Sequence, residues 1–315
     1  MQRRVIDAEE AGQRLDNYLL RHLKGVPKSR IYRIVRSGEV RINGGRCQPD
    51  QRLSEGDELR LPPVRCQAFS EEKPPVAPMV DLPILYEDEA LIALNKPCGI
   101  AVHGGSGLAW GLIEALRAQR PEARFLELAH RLDRETSGVL LVAKKRAALI
   151  GLHDMFREQK GDKRYLALVP GIWTEKSVQV TLPLYKYLTP EGERRVRIAK
   201  GGDLQNPETR PAETHFRLKK QYPGYALVEA KLKTGRTHQI RVHLAALGYP
   251  IVGDDKYGDF ALNKSLAANK ALERMFLHAA IMRCKHPVTG EPLNVEAPLP
   301  PELERFLVLI ERKNS

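Results

Sequence analysis

Apolar positions along the chain change period several times, and each change marks an element. Leu15, Tyr18, Leu19 and Leu23 recur at helical spacing. A second helix follows, with Pro27 suited to its first turn and Gly38 to its end. Ile31, Ile34 and Val35 share one face of it, while Arg30, Arg33 and Arg36 step by three along another. Val40 to Ile42 reads as a short strand, Asn43-Gly44 as a tight turn, and a second strand ends in "DELRL". These elements predict a small module over residues 11–62. Residues 63–82 lose all periodicity; Pro62, Pro63, Pro74, Pro75, Pro78 and Pro83 predict a semi-extended tether.

From residue 83 to 315, strand and helix signals alternate. "ILYEDEALIALNKP" holds two strand-like stretches, and "GLIEALRAQRPEA" and residues 147–159 read as helices. Val139-Leu140-Leu141-Val142 is a continuous apolar run, the pattern of a strand buried on both faces. "RYLALVPG" is a further strand, and "AETHFRLKKQY" and "YALVEAKLKTG" form a strand pair. "FLHAAIMRCKHPVTGEPLNVEAP" reads as a hairpin turning at Thr289-Gly290, with a closing helix behind it. In "KTGRTHQIRVHLAALG", Thr237 is a candidate N-cap, Ile240, Leu244 and Leu247 share a face, and Gly248 can end the helix. Strands joined by turns outnumber strand–helix–strand units. The expected class is α+β, a mixed, largely antiparallel sheet with flanking helices, plus the small N-terminal module.

Composition narrows the partners. The chain has 315 residues, 42% of them hydrophobic, enough for a full core. Its formal charge of +12 favours polyanions, nucleic acid foremost. Between residues 12 and 46, nine basic residues face two acids, and only Tyr18 and Tyr32 are aromatic. One-signed charge with few stacking rings suits phosphate and folded RNA rather than splayed bases, so Lys28, Arg30, Arg33 and Arg36 are candidate RNA contacts. Apolar runs are too short to span a bilayer, and the acids in "MQRRVIDAEEAGQR" argue against a leader. Four scattered cysteines with no C-x-x-C pair predict neither disulfides nor zinc. A cytoplasmic, monomeric protein without metal or cofactor is expected.

The candidate chemistry lies in two stretches. "AVHGGSG" lacks the Gly-Lys-Ser/Thr ending of a phosphate loop, and Leu108 spoils a serine elbow at Ser106. In "ELAHRLDRETSGVLLVAKKR", by contrast, Asp133 stands between Arg131 and Arg134 at the mouth of the buried strand. Alone, such an acid is commonly a salt bridge. With Arg236 ahead of a helix N-terminus as a further cation, it suits an ionised nucleophile or electrostatic stabiliser better than a general acid. No second acid has a claim as its partner, which argues against a glycoside hydrolase.

"RLDNYL", "PKSRIYRIVRSGEVRING" and "SEGDELRL" resemble an S4 RNA-binding domain. "HRLDRETSGVLLVAKK", with "NKPCGIAVHGG", "KRYLALV" and "TGRTHQIRVHLAALGYPIVGD", is similar to the RluA-type pseudouridine synthases, most of all to members acting on large-subunit ribosomal RNA. The resemblance implies a reaction without cofactor: uracil leaves N1, turns, and rejoins ribose through C5. It makes Asp133 the catalytic carboxylate, attacking C6 or C1′ or stabilising a glycal. Arg236 would pair with Asp133, and Tyr165 would pack against the base and assist removal of the C5 proton. Arg131 would fill the gap left by the flipped nucleotide or hold its phosphate. Ile240 would line the base pocket or simply pack in the core, and His130 would bond within its loop.

Overall fold

A computed structural model describes residues 2–8, 10–23, 26–63, 78–105, 109–190 and 192–312. The chain forms two units, Met1–Val76 and Ala77–Ser315.

The first unit runs β1 (Gln2–Val5), α1 (Leu15–His22), α2 (Lys28–Arg36), β2 (Arg41–Ile42), β3 (Gly45–Arg46) and β4 (Glu58–Leu61). Its antiparallel sheet has the order β1-β4-β2-β3. Ile31, Ile34 and Val35 of α2 are buried with Leu15, Tyr18 and Leu19 of α1, as their spacing predicts, while Lys28, Arg30, Arg33 and Arg36 are exposed. Gly38 ends α2 at φ +77°, and Asn43 and Gly44 both adopt positive φ in the β2–β3 turn. Two expectations need correction. The strand after that turn is two strands, Gly45–Arg46 and Glu58–Leu61. The unit also begins before residue 11, because β1 pairs with β4. All four residues of β1 are exposed, so it carries no apolar alternation to read.

Most of the expected tether, 64–77, lies outside the described residues. Its last residues belong to the second unit: Val80 and Leu82 pack in that core, and Gln119 Nε2 donates to Val80 O at 2.7 Å.

The second unit begins with β5 (Ile84–Glu87), β6 (Leu91–Lys96), α3 (Leu112–Gln119), β7 (Glu127–Leu128), β8 (Ser137–Ala143) and α4 (Arg146–Arg157). It continues with β9 (Asp162–Pro170), β10 (Ser177–Thr181), β11 (Leu184–Leu188), β12 (Arg194–Ile198), β13 (Glu213–Tyr222) and β14 (Tyr225–Leu232). α5 (Gln239–Ala246), α6 (Phe260–Ala268), β15 (Leu277–Lys285), β16 (Pro292–Glu296) and α7 (Pro301–Arg312) complete it. The main sheet runs β10-β13-β14-β9-β15-β8-β6-β5, with β16 beside β15 and β7 beside β8. Among the described residues, its one parallel pairing joins β15 to β8, and every other pair is antiparallel. The expected mixed, largely antiparallel sheet is therefore observed.

All seven residues of β8 are buried. Leu140 and Val142 enter one core with α3 and α5, while Val139 and Leu141 enter another with α4. Burying each such side chain contributes about 1.5–3 kcal/mol. That anchors the loop before β8, which carries Asp133.

The parallel seam fixes where that loop opens. Ala279 of β15 pairs with Gly138 on one side and with Tyr165 of β9 on the other. Gly138 sits at φ +109°, and a Cβ there would lie 2.2 Å from Ala279 O. Gly138→Ala is expected to destabilise the unit by about 2–5 kcal/mol, combining backbone strain with an immovable clash. A urea midpoint within experimental error of the unsubstituted chain would refute this reading of the seam.

Candidate active site

A cavity of about 450 Å³ opens at the seam, walled by the 130–136 loop, α4, the start of β9 and the start of α5. Asp133 reaches it from the loop, and the main chain behind Asp133 is held from several sides. Thr136 N donates to Asp133 O at 3.1 Å. Lys96, which is entirely buried, donates to Arg134 O at 3.0 Å and Pro97 O at 2.7 Å. Burial pushes its ammonium down to about 8, so it remains largely charged at neutral pH. The "NKPCG" stretch thus serves as a bracket for the loop. Just downstream, Ser137 Oγ accepts from Arg274 at 2.8 Å and meets His278 Nδ1 at 2.9 Å.

His278 has a pH consequence. Its Nε2 faces Ala297 O at 3.2 Å, so that nitrogen carries the proton and Nδ1 accepts from Ser137. Burial pushes this fully enclosed imidazole down to about 4. Its folded-state value lies below its unfolded one, so only the unfolded chain takes up its proton as pH falls from 6.5 toward 4. Stability should drop across that window by up to about 1.4 kcal/mol per pH unit from this residue. An unchanged urea midpoint between these pH values would contradict it. His130 is likewise pushed down, to about 3, mainly by burial, and its Nε2 accepts from Leu141 N at 3.1 Å. It therefore braces the loop against β8 rather than only within itself.

The cation facing Asp133 is Arg241, not Arg236. Arg241 Nη1 lies 3.6 Å from Asp133 Oδ2, and its side chain is only 3% exposed. Nε and Nη2 grip Asp254 in a bidentate pair at 2.7 and 2.6 Å, and Nη2 also reaches Asp255 at 3.0 Å. Burial works against both charges, but the pairing holds Arg241 above and Asp254 below their ordinary values. Arg236 is exposed at the cavity mouth, with Nε donating to Pro211 O at 3.1 Å.

The displacement has a local cause. The helix expected from Thr237 starts at Gln239, and His238 takes the cap position in the left-handed region at φ +53°. The buried Gln239 carboxamide directs this turn. It accepts from Arg236 N at 3.0 Å and Thr234 Oγ1 at 2.8 Å, and donates to Glu213 O and Thr214 Oγ1 at 2.9 Å. Arg241 is thereby the arginine inside the first turn that points at Asp133.

His238 is the second group beside the carboxylate, with Nε2 3.9 Å from the same Oδ2. Tyr257 stands behind it: Val196 N donates to the tyrosine oxygen at 3.0 Å, and that hydroxyl lies 2.8 Å from His238 Nδ1. The β11–β12 hairpin is thus tied to the cavity through one phenol. Arg241, His238, Tyr257 and Asp254 escaped the sequence reading. The signal for Arg241 was a charge inside the apolar run "IRVHLAAL", followed by the acid pair Asp254-Asp255.

Tyr165 lines the cavity from β9 and is 7% exposed. Burial, and secondarily Asp133, pushes its hydroxyl above the ordinary tyrosine range. A phenolate is therefore disfavoured. Ile240 both lines the cavity and belongs to the main core. Arg131 is exposed at the rim. Arg134 turns away, donating to Gly99 O at 2.9 Å and pairing with Glu135 at 3.4 Å. Neither flanking arginine pairs with Asp133, because the loop backbone projects both outward; the groups beside the acid are His238 at the cap of α5 and Arg241 in its first turn.

In the first unit, Lys28, Arg33 and Arg36 border a shallow depression with Tyr32, while Arg30 lies outside it. Tyr32 is fixed by its hydroxyl donating to Asp16 at 2.8 Å, and Asp16 is gripped by Arg14. Among the described residues, no helix is long and apolar enough to cross a membrane.

On a mixed sheet split by a parallel seam, an acid backed by a buried arginine thus shares one cavity with a tyrosine and a basic rim. Residues 90–246 match the family described as RNA pseudouridylate synthase, and residues 13–59 match the S4 domain. The chain belongs to the RNA pseudouridylate synthase family and is an RNA pseudouridine synthase of the RluA type. It is 51% identical over 315 residues to Ribosomal large subunit pseudouridine synthase C of Salmonella typhi, covering 98% of this chain and 96% of the relative. It is 52% identical over 309 residues to the protein of the same name from Escherichia coli (strain K12), covering 96% and 94%. Among solved structures it is similar to Human RNA Pseudouridylate Synthase Domain Containing 1. There the TM-score is 0.60 and the identity 29%, covering 73% of this chain and 89% of that one.

Proposed function

We propose that the chain isomerises specific uridines in large-subunit (23S) ribosomal RNA, with Asp133 as the catalytic carboxylate. The observation that carries the catalytic assignment is the convergence of Arg241 and His238 on one oxygen of Asp133, Oδ2, inside a cavity faced by Tyr165. The names of the most similar relatives support the substrate.

A uridine flipped into the cavity would place uracil against Tyr165 and Ile240. Asp133 attacks C1′ or C6, or stabilises a glycal; each route breaks the N1–C1′ bond and forms C5–C1′. The C5 proton departs and N1 gains one, so the reaction is redox-neutral and draws on no cofactor. Arg241 orients Asp133 and keeps it ionised. Arg131 enters the gap left by the uridine or holds its phosphate, and Arg134 and Arg236 meet backbone phosphate at the rim. Lys28, Arg30, Arg33 and Arg36 hold the RNA on the S4 unit through its phosphates. The same reading puts the enzyme in the cytoplasm, working as a monomer.

The test is to incubate the purified chain with large-subunit and transfer RNA from cells lacking its gene. Pseudouridine is then mapped by carbodiimide labelling and reverse-transcription stops. New stops on large-subunit RNA are expected; stops confined to transfer RNA would overturn the substrate.

A further inference from the structure

The cavity wall holds an enclosed positive charge that no carboxylate among the described residues neutralises. Arg241 has Asp133, Asp254 and Asp255, and Arg157 has Asp154 at 2.9 Å. Arg236 donates to Pro211 O. Arg131 meets no carboxylate among the described residues, but it is exposed to solvent. Lys163 is different. It lies half-buried in the cavity wall, and among the described residues it has neither an ion pair nor a hydrogen bond from its ammonium.

Its position on β9 is equally unusual. Strand alternation puts Lys163 on the same face as Tyr165, Ala167 and Val169, of which the last three belong to the apolar core. Its neighbours Asp162 and Arg164 point to the other face and pair with each other at 2.9 Å. Lys163 is thus a lysine at the open end of a core-facing row, with its ammonium 4.8 Å from the centre of the Phe156 ring. A side chain added at Gly235 would already touch that ammonium, at 3.4 Å. Burial lowers its proton affinity, with no anion to offset the loss. A cation so placed costs stability unless something else supplies the countercharge.

We propose that Lys163 seats a phosphodiester group of the RNA beside the nucleotide whose base enters next to Asp133 and Tyr165. Lys163 and Tyr165 are two residues apart on one strand, a span of about 6.6 Å. That distance suits a base at one position and a backbone phosphate at the other. The seat rests on the proposed reading of this cavity as the uridine site. It is a substrate-positioning residue, present equally before and during the chemical step, so its loss weakens binding rather than the step itself.

The experiment measures affinity for large-subunit RNA against salt concentration for the full chain and for Lys163→Met, Lys163→Gln and Lys163→Arg. One lost phosphate contact should reduce the slope of log affinity against log salt by about 0.7–0.9 in the Met and Gln variants. Affinity at low salt should fall about tenfold, turnover at saturating RNA should stay within about threefold, and Lys163→Arg should restore the slope. If Lys163 only packs on Phe156, the Met and Gln variants will melt earlier yet keep the full slope, and the proposal is overturned. A loss of turnover with unchanged slope and affinity would overturn it too, by assigning Lys163 to the base or the chemistry. A parent chain that forms no pseudouridine in this RNA would instead condemn the substrate reading on which the seat depends.

Discussion

Asp133→Asn is expected to bind RNA and make no pseudouridine. The amide keeps the shape of the side chain and removes the negative charge and the nucleophile. Turnover should fall by at least about 10⁴-fold, the scale seen when a nucleophile is removed from a preorganised site. The fold should tolerate the change, for a reason visible in the cavity. Arg241 remains gripped by Asp254, which is wholly buried, and by Asp255. No buried charge is orphaned, so stability should change by no more than about 1 kcal/mol. RNA affinity should stay within a few fold, since removing an anion cannot weaken phosphate contacts. Measurable turnover in single-turnover assays at saturating RNA would sink the assignment of Asp133.

Arg241→Met should be costly in both stability and catalysis, and Arg236→Ala in neither to a comparable degree. Among the described residues, Arg241 is the only cation paired with Asp254. Removing it leaves that carboxylate buried without a countercharge, a loss of about 3–5 kcal/mol. It also frees Asp133 from the guanidinium 3.6 Å away, so turnover should fall by a further factor of about 10²–10³ in the protein that still folds. Arg241→Lys should recover part of the stability but little of the rate, because an ammonium cannot span both Asp254 oxygens and Asp133 at once. Arg236 is exposed and bonds a backbone carbonyl, so its loss should raise KM and leave kcat nearly intact. Thermal melts with single-turnover rates on the three variants separate these roles. The reverse ordering, Arg236 essential and Arg241 dispensable, would restore the pairing with Asp133 that the family resemblance implies.

That contrast shows how far the chain can be read without its fold. β8 was legible because its run Val139-Leu140-Leu141-Val142 is apolar and buried throughout. α1 and α2, the Asn43-Gly44 turn and the glycine end of α5 were legible because their signals are local. β1 was not, because all its residues are exposed and only distant pairing with β4 makes it a strand. The seam was not, because Ser137 and His278 meet across 141 positions of sequence. Asp133, Tyr165 and Ile240 were singled out by motif and do share one cavity. Arg241 was missed by a one-residue shift in the start of α5, where His238 takes the cap position expected of Thr237. That shift is set by the side chain of Gln239 reaching Glu213 and Thr214 on another strand, and no capping rule contains it. Lys163 was missed because a lysine in a strand reads as surface until its face is known.

The account stands or falls on isomerisation at Asp133, and the measurement closest to it uses large-subunit RNA tritiated at uridine C5. Forming the new carbon–carbon bond must expel that hydrogen. The expected result is tritium released in proportion to pseudouridine formed, with the RNA intact and no free uracil, from the parent chain and from Arg236→Ala but not from Asp133→Asn. Free uracil among the products, or tritium release that survives in Asp133→Asn, would contradict it.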